Sequence, residues 1–248
     1  MLLKNKVAVI TGSNRGIGKQ TLEIFSKNGA DVIACVRKSS NDFIEYTKKL
    51  SQETKNSIDI VDLDLQSENS VKDAIKRIVS MNKKIDILIN NAGSIYTGIF
   101  QMTTISKLRE IFEINFFSQS VFVQGLVKTM IKNKSGSIIY ISSSSAIDAN
   151  EGRSAYSASK AAIITQAKTL SKELGAFNIR VNCIAPGLTL TDMMKNNTPD
   201  NILQEVIKTI PLKRVGDPNE IANVILFLAS DLSTYLSGQT IRVDGGMN

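Results

Sequence analysis

Short apolar, β-branched runs alternate with longer amphipathic stretches along the whole chain, and this alternation restricts the fold more than any other feature. Strands are predicted at 6–11, 31–36, 58–63, 85–89, 136–142, 179–184 and 240–243. Helices are predicted at 16–28, 41–55, 67–82, 104–132, 154–176 and 217–229, with a short one near 200–208 inside a loop. The strands read as unbroken apolar runs, such as Val7-Ala8-Val9-Ile10, as strands buried on both faces require. The expected fold is therefore α/β, a doubly wound parallel sheet of about seven strands with helices on both faces. With 248 residues, four prolines and no Gly/Ser/Pro linker, residues 1–248 are expected to form one domain.

Composition removes several classes of function. The chain has no histidine and only two cysteines, Cys35 and Cys183, each inside an apolar strand. Zinc sites and histidine-based triads are not expected, and the cysteines read as core thiols. The net charge of +7 comes from cations spread over many segments. That pattern favours anionic ligands mildly and does not suggest nucleic acid as a partner. No apolar run approaches the roughly 18 residues of a membrane span, and the first residues lack a signal-peptide pattern, so a cytoplasmic location is expected.

The first strand runs into Thr11-Gly12-Ser13-Asn14-Arg15-Gly16-Ile17-Gly18 and then a helix. Gly12 allows a tight turn, while Gly16 and Gly18 allow close approach of a ligand and of the helix to the strand. The helix start offers free N–H groups to a pyrophosphate. A Rossmann-type dinucleotide site is expected, although the spacing is G-x-x-x-G-x-G. A site for NAD usually carries an acid at the end of the second strand. Here Val36 holds that place, followed by Arg37 and Lys38, and Arg15 in the loop can lie nearby. Cations without an acid favour a 2′-phosphate, hence NADP(H). Asn91, Ala92 and Gly93, after the fourth strand, would let the cofactor pass close. Asp64 and Leu65, after the third, either touch the adenine or form ordinary surface loop.

Tyr156 and Lys160 are four residues apart in Tyr-Ser-Ala-Ser-Lys, thirteen residues after Ser143 at a strand end. Residues at i and i+4 share a helix face, so phenol and ammonium can meet in one cleft. The ammonium would lower the phenol pKa toward working pH, and Ser143 could donate to a substrate oxygen. Alone, the pair could equally be a surface tyrosine and a solvated lysine. Its company makes it a candidate proton-transfer site. Two long helices stand out as well. Segment 104–132 is apolar nearly all round, and 154–176 is rich in Ala and Ser. Both suit packing against another subunit.

Taken together, Thr11-Gly12-x-x-x-Gly16-x-Gly18, Asn90-Asn91-Ala92-Gly93, Asn115, Ser143, Tyr156-x-x-x-Lys160 and Pro186-Gly187-x-x-x-Thr191 resemble the short-chain dehydrogenase/reductase family. The resemblance covers residues 5–247 and is strongest to its 3-oxoacyl-[acyl-carrier-protein] reductases. It implies an NADPH-dependent carbonyl reductase, with oxidation of a small sugar, alcohol or keto acid as the alternative and a non-catalytic NADP-binding regulator as a remoter one. It implies Tyr156 as proton donor, Lys160 as its partner and ribose ligand, Ser143 on the carbonyl, and Asn115 holding a water in a relay to Lys160. Pro186, Gly187 and Thr191 would border the nicotinamide, and residues 188–215 would form a substrate lid. A homotetramer is implied. So is an acyl-carrier-bound or small-molecule ketone as substrate. Basic docking positions of the carrier-type enzymes correspond here to Lys134 and Phe177, so half of that patch is kept. Arg153, three residues before Tyr156, could face an anionic or polyhydroxy substrate.

Overall fold

A computed structural model describes residues 1–247, with side chains at all of these except 200 and 201. Seven strands form one parallel sheet: β1 (Val7–Thr11), β2 (Asp31–Val36), β3 (Ile58–Asp62), β4 (Ile87–Asn90), β5 (Gly136–Ile141), β6 (Ile179–Pro186) and β7 (Thr240–Val243). Their order is β3-β2-β1-β4-β5-β6-β7. The helices are α1 (Gly16–Lys27), α2 (Asn41–Thr54), α3 (Glu68–Ser80), α4 (Ile105–Phe112), α5 (Ser118–Asn133), α6 (Ser145–Asp148), α7 (Ser154–Leu174), α8 (Asp192–Asn197), α9 (Asp200–Thr209) and α10 (Pro218–Ala229).

The two-residue period of each strand divides its apolar side chains between two cores. Ala8, Ile10, Ile87, Ile89, Ile139 and Ile141 face the layer that holds Leu22, Phe25 and Ile225 from α1 and α10. Val9, Leu88, Ile138, Tyr140 and Cys183 face the opposite layer, with Phe122, Leu126 and Ile163 from α5 and α7. Neither face of the sheet is left to solvent, which is why the strands read as continuous apolar runs rather than as alternation.

Strand order reverses at β1, whose neighbours are β2 and β4. In such sheets the crevice for a ligand opens beyond the strand C-termini at this reversal. The chain narrows the crevice by locking the β1 and β4 ends together. Thr11 Oγ1 accepts from the backbone N–H of Asn91 at 3.0 Å and of Ala92 at 2.9 Å. Asn91 Nδ2 donates back to the Thr11 carbonyl at 2.9 Å.

Differences from the sequence reading lie where polar side chains override periodicity. The predicted helix 104–132 is one continuous path, but Glu113–Phe117 forms a π turn between α4 and α5. The wide turn seats the buried Asn115 where it can reach two neighbouring segments, and such turns commonly mark functional sites. The predicted lid at 188–215 contains α8 in addition to the expected helix near 200–208, and α6 was not expected at all.

Candidate active site

A cavity of about 720 Å³ runs along the C-terminal edge of the sheet from Arg37 to Met247. At one end it is walled by the glycine-rich turn. Gly12 has φ +71, a left-handed conformation that suits glycine. A Cβ on Gly18 would stand 2.1 Å from the Gly12 carbonyl oxygen, so α1 can rest on β1 only without a side chain there. Gly12, Asn14, Arg15 and Ile17 line the cavity. Ser13, Gly16 and Gly18 do not. Ser13 is buried and donates to the Ile10 carbonyl at 2.7 Å, Gly16 abuts Thr191, and Gly18 packs the helix. These three shape the turn from within, and Gly12, Asn14, Arg15 and Ile17 carry its surface toward the cavity.

Arg37, Asp64 and Leu65 continue the wall across the ends of β2 and β3. Arg15 and Arg37 are exposed, and neither makes an ion pair among the described residues. Asp62, paired in register with Val36, points elsewhere and accepts from Ser39 N–H at 2.9 Å. The two arginines therefore offer free donors at the β2 end of the cavity. Asn91, Ala92 and Gly93 form the middle, with Pro186, Gly187 and Thr191 opposite. Gln119 on α5 fixes this floor, donating to the Ala92 carbonyl at 2.6 Å.

Ser143, Tyr156 and Lys160 meet deeper in the same cavity. Ser143 lies two residues beyond the end of β5, so the strand delivers it to the C-terminal edge of the sheet. Tyr156 and Lys160 are one turn apart on α7, and both are buried. Burial pushes the Tyr156 phenol above its ordinary range, while the Ser143 hydroxyl and the Arg153 guanidinium pull it back down. Burial also lowers the Lys160 ammonium to about 8. The Lys160 Nζ donates to the Ile141 carbonyl at 2.8 Å. Arg153 is thus a second cation acting on the phenol, in addition to Lys160 one turn along α7.

Asn115, to which the resemblance gives a water in a relay to Lys160, has its side chain engaged in the fold. Its Oδ1 accepts from Ser94 N–H at 2.8 Å, and its Nδ2 donates to the Ser94 carbonyl at 2.8 Å and to Ser159 Oγ at 3.0 Å. With that amide engaged, the side chain clamps the 93–94 loop onto α7. A Cβ on Gly93 would come within 3.1 Å of Asn115 Oδ1 and 3.2 Å of Lys160 Nζ, so the glycine lets all three pack together.

Two features escaped the sequence reading. Ser142 Oγ donates to the Lys160 carbonyl at 2.8 Å, tying β5 to α7 inside what reads as a plain serine run. Arg242 on β7 donates to both oxygens of Asp148, at 2.5 and 2.8 Å, to Asp244 at 2.5 Å, and to the Met247 carbonyl. It staples α6 and the segment after β7 along one side of the cavity. Asp148 lies 94 positions away in the chain, so no local pattern announces the pair.

The carrier-docking expectation meets a geometric difficulty. Lys134 caps the C-terminus of α5 just before β5, and Gly136 N–H donates to the Asn178 carbonyl, which sets Lys134 and Phe177 on the same edge. That edge is the N-terminal end of the strands. Six residues of β5 place it about 20 Å from Ser143 and Tyr156. Within one chain, these positions do not flank the cavity mouth.

The comparisons with known proteins agree with this layout. A family model described as "Enoyl-(Acyl carrier protein) reductase" matches residues 11–248. A 3-oxoacyl-[acyl-carrier-protein] reductase of Chlamydia trachomatis serovar D is 38% identical over 247 residues, covering 99% of this chain and 98% of that one. The crystal structure of L-sorbose reductase from Gluconobacter frateurii, complexed with NADPH and L-sorbose, superposes with a TM-score of 0.91 at 33% identity, covering 99% of this chain and 97% of that one. A 7α-hydroxysteroid dehydrogenase complexed with NADH and 7-oxo glycochenodeoxycholic acid superposes with a TM-score of 0.90, also at 33% identity, over 99% and 97% of the two chains. With its sheet order, glycine turn and buried Tyr156/Lys160 pair, the chain belongs to the short-chain dehydrogenase/reductase family of oxidoreductases.

Proposed function

We propose that this protein is an NADPH-dependent carbonyl reductase in which Tyr156 gives the proton. The observation that carries the reading is one continuous cavity with free arginines at its β2 end and Ser143, Tyr156 and Lys160 at its centre. The residues present fit an NADP(H) cofactor. Gly12 to Ile17 would hold the pyrophosphate, Arg15 and Arg37 the 2′-phosphate, and Asp64 and Leu65 the adenine. Asn91 to Gly93 would lie under the ribose, and Pro186, Gly187 and Thr191 would border the nicotinamide. When bound, the cofactor supplies the hydride.

The chain's own part in the reaction follows from the site. Ser143 donates a hydrogen bond to the carbonyl oxygen and orients the ketone. The phenol of Tyr156, kept protonated by burial, passes its proton to the same oxygen as negative charge gathers there. Lys160 and Arg153 then face the resulting phenolate, and their charge stabilises it. In the oxidative direction Tyr156 acts as base, which serves a sugar or alcohol dehydrogenase equally well. The description of the matching family model concerns a carbon–carbon double bond. A hydroxyl-donating pair at the cavity centre suits a carbonyl oxygen instead. The Chlamydia relative's name makes a 3-oxoacyl thioester the first substrate to try. A carrier protein would have to reach the cavity by a surface other than this chain's own Lys134 edge.

A homo-oligomer, in the family's manner a tetramer, belongs to the same reading. Phe100, Ile105, Phe117 and Val121 are exposed along the segment leading into α4, the π turn and α5. A second copy would cover them. Light scattering that shows a stable monomer at micromolar concentration would remove this part. The functional test is a panel of ketones with NADPH, including a 3-oxoacyl thioester with and without carrier protein, small oxo acids and sugars. Turnover with a ketone supports the reading. Tight NADPH binding without turnover of any would favour a non-catalytic role.

A further inference from the structure

Arg153 is the one half-buried arginine that makes no side-chain hydrogen bond or ion pair among the described residues. Arg180 is half-buried too, but its guanidinium is spent on the carbonyls of Leu228 and Ser230. Arg242 is spent on Asp148 and Asp244. Arg153 sits at the N-terminus of α7, three residues before Tyr156, so the two side chains share a helix face. Both line the same cavity. The walls beyond them mix apolar side chains, among them Ile95, Met193, Val206 and Met247, with polar Asn150, Asn197 and Thr198. Two carboxylates, Glu151 and Asp192, also line this part of the cavity; both are exposed, and neither pairs with Arg153 among the described residues.

An unpaired cation on a partly desolvated wall strengthens any opposite charge brought to it, because the low-dielectric lining screens less than water does. A helical turn advances about 5.4 Å, so an anion held by Arg153 stands only a few ångströms from a carbonyl held by Tyr156 and Ser143. Resting on the carbonyl-reductase reading, we propose that Arg153 is a specificity-determining residue that selects ketones carrying their own carboxylate one or two carbons from the carbonyl. A thioester is neutral at that place and would gain nothing from it.

The experiment compares a short 3-oxo acid with its methyl ester as substrates, using wild type, Arg153→Gln and Arg153→Glu with NADPH. The wild type is expected to favour the acid in kcat/KM by roughly tenfold or more, the usual worth of a charge-assisted hydrogen bond. Arg153→Gln should erase most of that ratio, chiefly through KM, and Arg153→Glu should invert it. Any loss common to acid and ester reports the effect of Arg153 on the phenol, so the ratio isolates recognition of the anion. In parallel, calorimetry measures binding of the matching hydroxy acid and its ester to the NADP⁺ complex. Turnover with equal ratios in all three proteins overturns the role of Arg153 and leaves the reductase reading standing. Arg153-dependent binding of the acid without turnover supports the role and removes the reductase reading. Neither turnover nor preferential binding of the acid overturns both.

Discussion

The two halves of the cavity are built differently. The cofactor half rests on strand ends and on polar side chains, Thr11 and Gln119 buried and Asn91 half-buried, each making hydrogen bonds that cross between elements. The other half, with α8 and α9, is made of short helices. In α8 only Met194 is buried, and α9 has no buried side chain among those described. A frame locked by cross-element hydrogen bonds tolerates little change, whereas a wall of short surface helices can be re-lined at small cost. The site thus joins a locked frame to a wall that can be re-lined.

Substitutions can break or sharpen that contrast. The largest effect is expected from Lys160→Ala, at the junction of the halves. It should lower kcat by about 10²–10⁴-fold, the usual range for a positioned acid–base group, and weaken NADPH binding as well. A kcat within a few-fold of wild type would detach Lys160 from the chemistry. In the rigid half, Arg37→Ala should cost roughly 1.5–3 kcal/mol of NADPH affinity, about 10–150-fold, with NADH nearly unchanged. Equal wild-type affinities for the two cofactors would remove the 2′-phosphate assignment. Across the boundary, Arg242→Met leaves Asp148 and Asp244 unpaired. We expect KM for substrate to rise several-fold with kcat less affected, and partial rescue by Arg242→Lys. An unchanged KM would show that the staple is structural decoration only.

The smallest effect is a pH dependence of stability. The ammonium of Lys160 titrates at about 8 in the fold, below its ordinary value of 10.5. Between those pH values the unfolded chain binds more protons than the folded one, so this group makes stability rise with pH. Below about 8 the buried charge is a cost. Lys160→Met should therefore be stabilised relative to wild type at pH 7, with the advantage shrinking as pH passes through 8 toward 10. Denaturant midpoints at several pH values check this, and an advantage that is flat or grows with pH contradicts it.

Much of the fold is legible in the sequence, because sheet and helix periodicities are local. All seven predicted strands occur within a residue or two of their places, and the glycine turn lies where its spacing puts it. Ser143, Tyr156 and Lys160 converge because one strand end and one helix face carry them. What the sequence hides depends on distant contacts. The π turn at Asn115 is set by Ser94 and Ser159, and the Arg242 staple by Asp148. The surroundings of the phenol depend on distant contacts too. Spacing shows that Lys160 shares a face with Tyr156, but not that the Ile141 carbonyl takes its ammonium or that burial outweighs it.

The central claim is that Tyr156 supplies the proton in a cavity already shaped to hold cofactor and ketone. Tyr156→Phe tests it most directly, since it removes one hydroxyl and keeps the ring. NADPH binding and single-turnover reduction are measured on the same preparation, with whichever ketone the panel identifies. The account predicts NADPH affinity within a few-fold of wild type and a rate reduced by at least about 10²-fold. Reduction at more than roughly a tenth of the wild-type rate, with cofactor still bound, would contradict it.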